Sequence, residues 1–312
     1  MSRRNDPARV LIAIPVFNEA THASRVLDEV RSFHRDVLVV DDGSSDATPD
    51  ILQGRADVKS GEVRVIRHAT NSGYGQSLIT AFEYAGRAGF DWVITMDCDE
   101  QHEPRRIPAF LERLQAAHHC DACPDIVSGT RYTAGDVNGD AAPADRKAIN
   151  MTLTAVLNHA FGVTEVSHGM LQVPLTDSFC GFKAHRVKAM AKLNLTETGY
   201  AFPMQLWPQA ALAGLVVEEL PVPRIYNDPN RTFGGQLDDP DRRLRHYVDV
   251  LRREVKHPAV AITPAVLKRQ RDICVRLEEA IARYIPQLAV PLMTPRGVTG
   301  ANVCDKAACC CK

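Results

Sequence analysis

The chain has 312 residues, 45% of them hydrophobic and 24% charged, with a net charge of -1. That composition suits a globular protein with room for one large α/β domain and an appendage. The near-neutral balance excludes the basic field of a nucleic-acid binder, and no apolar run approaches the roughly 20 residues of a membrane-spanning helix. The first residues, Met1-Ser2-Arg3-Arg4-Asn5, are polar and lack the apolar core of a signal peptide. Residues 1–8 are expected to be a disordered start, and the expected location is the cytoplasm or the surface of a membrane.

Val10–Ile14 is a continuous apolar run that Pro15 is expected to end, and Ala20–Phe33 carries Val26, Leu27, Val30 and Phe33 at helical spacing. Val37–Val40, Val63–Ile66 and Trp92–Met96 read as further buried strands, with a helix over Gln76–Arg87 and a fifth strand at Ile126–Gly129. Strands alternating with helices at this pace predict crossover units and a parallel sheet covered on both faces. Thr133–Ala144 is rich in Gly, Asp, Asn and Ala and reads as a loop before a helix over Arg146–Phe161. Then follow a strand at Phe179–Ala184, a short helix to Leu193, a helix over Phe202–Ala213, a strand at Leu215–Leu220 and a loop at Tyr226–Gly235.

Beyond Asp239-Pro240, Leu244, Tyr247, Val248, Leu251 and Val255 share one helical face, flanked by Arg242, Arg243, Arg245, Arg252 and Arg253. Such a helix either packs on the domain with its arginines in solvent or lies on an anionic membrane. Another helix runs from Pro264 to Tyr284, and the segment from Pro286 reads as unstructured. The domain plan is therefore a catalytic domain over 9–235, a helical extension over 236–285 and a tail over 286–312.

Nine cysteines are present. Cys120-Asp121-Ala122-Cys123 follows His118 and His119, but a closed zinc site needs four ligands and no second pair is near. Reduced thiols in a surface loop are the expectation there, and a disordered end for Cys304, Cys309, Cys310 and Cys311.

In parallel α/β sheets, ligands bind at the carboxyl ends of the strands. Three predicted strands run into polar clusters: Pro15-Val16-Phe17-Asn18-Glu19, Asp41-Asp42-Gly43-Ser44-Ser45-Asp46 and Asp97-Cys98-Asp99-Glu100-Gln101-His102. Acids converging on one crevice are costly unless a cation or ligand compensates. On an extended backbone, Asp97, Asp99 and Gln101 would point to the same side. Three oxygen donors suit Mg²⁺ or Mn²⁺, with phosphate and water completing the shell. Each cluster also has a plainer reading: Asp41, Asp42 and Ser44 as a turn or helix cap, Gly73 and Gly75 as helix-entry glycines, Arg131 as a surface ion pair, and Arg146 on an exposed helix face.

These clusters, together with Asn71-Ser72-Gly73-Tyr74-Gly75 and Gly129-Thr130-Arg131-Tyr132, stand in the order found in family 2 glycosyltransferases. The sequence resembles the branch that contains dolichyl-phosphate mannosyltransferase and related polyprenyl-phosphate glycosyltransferases, over about Arg9 to Gly235. The resemblance implies a GT-A fold, a GDP- or UDP-linked sugar donor, inversion at the anomeric carbon and a lipid-linked phosphate as acceptor. It implies that Pro15, Phe17, Glu19 and Asp42 hold the nucleoside, with Gly75 near the donor. It makes Asp97, Asp99 and Gln101 the metal positions, with Asp99 and Arg131 catalytic. Arg131, and Arg146 beside it, would face phosphates. Asp177, in Asp177–Phe182, is similar to the acceptor-side element and becomes the base if the acceptor is a hydroxyl. Arg224 and Arg231 lie in a segment similar to the branch's acceptor loop. The chain departs from the pattern at Cys98 and Glu100, and it lacks the membrane helices many relatives carry. The other readings of the same motifs are a sugar-nucleotide-binding protein without turnover and a nucleotidyltransferase. Pro15–Glu19 stands where the latter needs a glycine-rich phosphate loop.

Overall fold

The predicted apolar runs become β1 (Val10–Val16), β2 (Val37–Asp41), β3 (Val63–Arg67) and β4 (Trp92–Thr95). In this computed structural model, residues 7–118, 124–132, 142–164, 167–226, 232, 234–258 and 260–289 are described. β5 (Ile126–Thr130) follows, then a two-stranded ladder of β6 (Val163–Thr164) and β7 (Ser167–His168), then β8 (Lys183–Arg186) and β9 (Val217–Pro221). Seven strands form one sheet in the order β3-β2-β1-β4-β8-β5-β9. All its pairings are parallel except those of β8, which runs antiparallel to both β4 and β5.

Two predictions are corrected within this sheet. Pro15 does not end β1, which pairs on to Val16 opposite Asp41. Backbone groups of the odd-numbered residues of β1 face β4, as the bond from the Met96 N–H to the Ala13 oxygen shows. β4 leaves the ladder at Thr95, so the missing N–H of Pro15 forfeits no ladder bond. The strand expected at Phe179–Ala184 is shifted to Lys183–Arg186, leaving Phe179–Phe182 as a loop at the carboxyl edge of β4.

Helices cover both faces because each presents an apolar stripe. On one side, α1 (Ala23–Phe33) and α5 (Ile107–His118) bury Val26, Leu27, Val30, Phe110 and Leu114 against Ile12, Ile14 and Ile94. The short α2 (Thr48–Gly54) and α3 (Ala56–Lys59) connect β2 to β3. On the other side lie α4 (Tyr74–Ala88), α6 (Ala144–Ala160), α7 (Val187–Met190) and α8 (Phe202–Ala213). α9 (Pro240–Lys256) and α10 (Pro264–Tyr284) join that second core, where Trp207, Val248, Leu251, Ile273 and Ile281 pack together. Both begin at a capped turn: the Asp239 side chain accepts from the Arg242 N–H and Thr263 from the Val266 N–H, each followed by proline.

The apolar stripe of α9 faces this core, so the helix packs on the domain. Its arginines are not all in solvent. Arg243 is 3% exposed and pairs with Asp145 of α6, and Arg252 forms a forked pair with Glu278 of α10 at 3.0 and 2.7 Å. Among the described residues no helix is long and apolar enough to cross a membrane. The Cys120–Cys123 pair, the 304–311 cysteines, most of the 133–144 segment and Arg231 lie outside the described residues, as do 1–6 and 290–312.

Candidate active site

Loops leaving β1, β2 and β4 build one side of a crevice at the carboxyl edge of the sheet. After β1, Asn18 adopts a left-handed conformation (φ 56°), and its side-chain oxygen accepts from the Ser45 N–H at 2.8 Å. The Glu19 N–H donates to Thr48 Oγ1 at 2.9 Å, tying the same loop to α2. Phe17, directly before these fixed points, is 42% exposed. Asp42 is 3% exposed and accepts from the Ser72 N–H (2.9 Å), the Gly73 N–H (2.7 Å) and His68 Nδ1 (2.6 Å). Its carboxylate thus shapes the 70–74 turn. Gly75 meets a packing requirement, since a Cβ there would stand 2.2 Å from the Glu197 oxygen.

The acidic turn after β4 differs from its prediction. Glu100 takes a left-handed conformation (φ 63°), so 97–101 is not extended and the expected alternation of Asp97, Asp99 and Gln101 is broken. Glu100 turns back to pair with Arg25 of α1 and lies 3.1 Å from His22 Nδ1. This gives the unusual residue a structural task, pinning the turn to a helix. Asp99, 8% exposed, accepts the Gln101 N–H at 3.0 Å. Asp97 accepts the Tyr74 hydroxyl at 3.0 Å, and its own N–H donates to His102 Nδ1 at 2.8 Å. His102 is buried against Phe182, an orienting group whose Nδ1 is occupied. Burial, then the Asp97 charge, raises the Tyr74 pKa well above its usual value, so the phenol stays a donor.

Gly181 passes directly over this cluster. A Cβ on it would lie 2.8 Å from Asp97 Oδ2, 2.9 Å from the Tyr74 oxygen and 3.0 Å from His102 Cε1. Thr95 Oγ1, at the end of β4, donates to the Gly181 oxygen at 2.7 Å and fixes that approach. The absence of a side chain therefore lets the Gly181 backbone pack closely against Asp97, Tyr74 and His102. Gln101 Nε2 is buried without a hydrogen-bond partner. Two carboxylates and one amide oxygen, which a turn of the Gln101 side chain would present, fit a hard cation that takes its other ligands from phosphate and water. Among the described residues no group of three His, Cys, Asp or Glu is arranged to hold a metal alone.

Gln101 also lines a cavity of about 130 Å³, with Arg131, Tyr132, Arg146, Arg243 and Tyr247 among its walls. Arg131, at the end of β5, is locked by Asp177: Nε to Oδ2 is 2.7 Å and Nη2 to Oδ1 is 3.0 Å. Asp177 is fully buried and also accepts from Asn150 Nδ2 (2.7 Å), the Phe179 N–H (3.2 Å) and the Cys180 N–H (3.1 Å). Burial works to raise its pKa, but Arg131 outweighs that and holds it down at about 2. A carboxylate so committed is a poor proton acceptor, and the base role expected of Asp177 gives way to that of a clamp on Arg131. The same pair raises the Arg131 pKa well above its usual value. Arg146, on α6, is partly buried and borders the cavity. Arg224 reaches the Arg131 oxygen at 3.4 Å, and its guanidinium lies 5.5 Å from the Tyr132 ring. Sequence reasoning missed Arg243 and Tyr247, which a helical wheel placed on a flank and in the core. It also missed Gly181, for which the string Asp177–Phe182 was the available signal.

A family model described as "Glycosyl transferase family 2" matches residues 11–171, more than half of the chain. Undecaprenyl-phosphate mannosyltransferase of Micrococcus luteus is 30% identical over 221 residues, covering 69% of this chain and 82% of that protein. Polyprenol monophosphomannose synthase of Mycolicibacterium smegmatis is 27% identical, covering 69% and 76%. Among solved structures, glucosyl-3-phosphoglycerate synthase from Mycobacterium tuberculosis with Mn²⁺, uridine diphosphate and phosphoglyceric acid matches at a TM-score of 0.54 and 17% identity, covering 78% of this chain and 77% of that one. Mannosyltransferase PcManGT from Pyrobaculum calidifontis with GDP-Man and Mn²⁺ matches at 0.52 and 15%, covering 92% and 78%. The structural likenesses carry the fold: this is the GT-A sheet, with its one reversed strand. With its motifs, its sheet and its relatives in agreement, the chain belongs to glycosyl transferase family 2 and is a hexosyltransferase.

Proposed function

We propose that the protein transfers a hexose, with inversion, from a nucleoside diphosphate sugar to a phosphate-bearing acceptor. The observation that carries this reading is the adjacency of two unlike walls. Gln101 stands in the same turn after β4 as Asp97 and Asp99, and it also borders the cavity lined by Arg131, Arg146 and Arg243. Acids suit a cation-bridged diphosphate, and guanidiniums suit anionic oxygens. Phe17 offers its exposed face to the base, with Pro15, Glu19 and the turn held by Asp42 around it. Mg²⁺ or Mn²⁺ would be held by Asp97 and Asp99, with Gln101 as a third donor, and when bound supplies charge neutralisation to the diphosphate.

Arg131, clamped by Asp177, keeps a fixed positive charge beside the developing negative charge of the leaving group, at no cost of reorganisation. An acceptor phosphate oxygen is already anionic. It forms its bond to the anomeric carbon while the bond to the diphosphate breaks, and no general base is needed. This agrees with an Asp177 held at about 2. The names of the two bacterial relatives, an undecaprenyl-phosphate mannosyltransferase and a polyprenol monophosphomannose synthase, support mannose as sugar and a polyprenyl phosphate as acceptor.

Asp99→Ala tests the assignment. The variant is expected to melt close to the wild type and to lose the Mn²⁺-dependent thermal shift that GDP or UDP produces, with transfer falling at least about 10²-fold. A folded variant with undiminished metal-dependent transfer refutes it.

A further inference from the structure

α9 lies outside the segment that the family model matches, yet it supplies one wall of the arginine-lined cavity. Tyr247 is 2% exposed, and its side chain borders the cavity. A phenolic hydroxyl on a cavity wall can donate to an acceptor bound there. The ring is fixed by Phe179, 5.1 Å away, which itself follows the Asp177 clamp. Burial pushes the Tyr247 pKa up to about 12, against the opposing charges of Arg243 and Arg146, so the hydroxyl keeps its proton to donate. One turn earlier, Arg243 is held in place by Asp145 and by the Leu237 oxygen at 2.7 Å. Asp145 opens α6 and precedes Arg146, so one ion pair sets the separation of two guanidiniums on facing helices.

We propose that Tyr247 and Arg243 complete the acceptor site: they recognise the headgroup of a phosphate monoester, the hydroxyl donating to one phosphate oxygen and the guanidinium facing another. This rests on reading the cavity as the acceptor side. A phosphate monoester fits because the named wall groups are cations and donors, and because the cavity, at about 130 Å³, matches a headgroup rather than a chain. The remainder of the acceptor would extend out of it. α9 then sets acceptor specificity, and the catalytic acids set the donor.

The test uses the full chain, wild type and Tyr247→Phe, with geranyl phosphate, geraniol and inorganic phosphate as probes in calorimetry. Wild type is expected to bind geranyl phosphate and not geraniol, and Tyr247→Phe to bind it about ten-fold or more weakly, as a lost hydrogen bond to a charged group dictates. Affinity for GDP or UDP with Mn²⁺ is expected to stay the same in both. Inorganic phosphate binding as well as geranyl phosphate would assign recognition to the headgroup alone; tighter geranyl phosphate would add the lipid chain, and both support the proposal when the variant weakens them. Arg243→Lys, which keeps the charge and loses the fork, is expected to weaken the same probes. In transfer assays the variants raise the acceptor KM more than they lower kcat. Equal affinity in Tyr247→Phe, equal binding of geraniol, or no binding of either phosphate by wild type overturns the proposal. Phosphate binding that depends on Tyr247 in a protein without metal-dependent transfer would instead sink the functional reading and leave this site standing.

Discussion

Gly181→Ala perturbs the crevice by one methyl group. The backbone tolerates it, since Gly181 is not among the positive-φ glycines. The added carbon would stand 2.8 Å from Asp97 Oδ2 and 2.9 Å from the Tyr74 oxygen, several tenths of an ångström inside contact distance. Gly181 itself cannot retreat freely, because its oxygen is bonded to Thr95 at 2.7 Å. The acid and the phenol must yield, by about half an ångström, at an overpacking cost of about 1–3 kcal/mol. Against a total stability of about 5–15 kcal/mol the fold survives. Displacing a catalytic group by a fraction of an ångström lowers turnover by roughly 10–10²-fold. The assay pairs thermal melts with transfer rates over a Mn²⁺ titration, and Gly86→Ala is the control. There the new carbon meets only Val187 Cγ1 at 3.8 Å, and alanine in mid-helix is neutral or stabilising. Wild-type rate and Mn²⁺ dependence in Gly181→Ala would refute the proposed role of Asp97 in holding the cation.

Asp177→Asn leaves Arg131 buried without its counter-charge, which costs about 3–5 kcal/mol; melts are expected to fall by roughly ten degrees, and an unchanged melting temperature would contradict the clamp. His185, 1% exposed on β8, has its pKa lowered to about 3 by burial and then by the Lys183 charge. Because the folded value lies below the unfolded one of 6.5, its contribution is complete above pH 6.5 and is lost as pH falls toward 3. Between pH 7 and 5 that is about 2 kcal/mol, so His185→Leu is expected to flatten the acid limb of the stability curve by that amount in denaturant titrations; an identical limb refutes it. Phe17→Ala removes an exposed ring and is expected to raise the donor KM roughly ten-fold with little change in melting temperature. An unaltered KM would show that the base does not rest there.

Strands buried on both faces announce themselves as continuous apolar runs, which is why β1, β2 and β4 were legible to within a residue or two. β8 was not, because its polar residues are buried by particular partners that hydropathy does not see. Lys183 lies 5.5 Å from the Trp207 ring, His185 meets Phe82 edge-on, and Arg186 sits 4.5 Å over Trp92. The acids at the ends of β2 and β4 were legible from their position after those runs. The geometry of the turn was not, since a left-handed glutamate depends on an ion pair with Arg25, 75 residues away. Arg243 shows the same limit, because a wheel gives a residue its side of a helix but not what stands opposite.

The reversed direction of β8 has a consequence for how the chain tolerates change. Asp97 is reached on leaving a strand, whereas Gly181 is reached before entering its neighbour, so one pairing register sets both walls of the crevice. Side chains alternate along a strand, and a one-residue deletion between Gly181 and Arg186 would draw Cys180 or Phe182 toward the place where only a glycine fits against Asp97. Loops elsewhere on the surface can lengthen and shorten with little penalty. Here the sequence distance itself is under constraint, and a frame-preserving deletion of one codon would silence the enzyme without touching any residue that meets substrate.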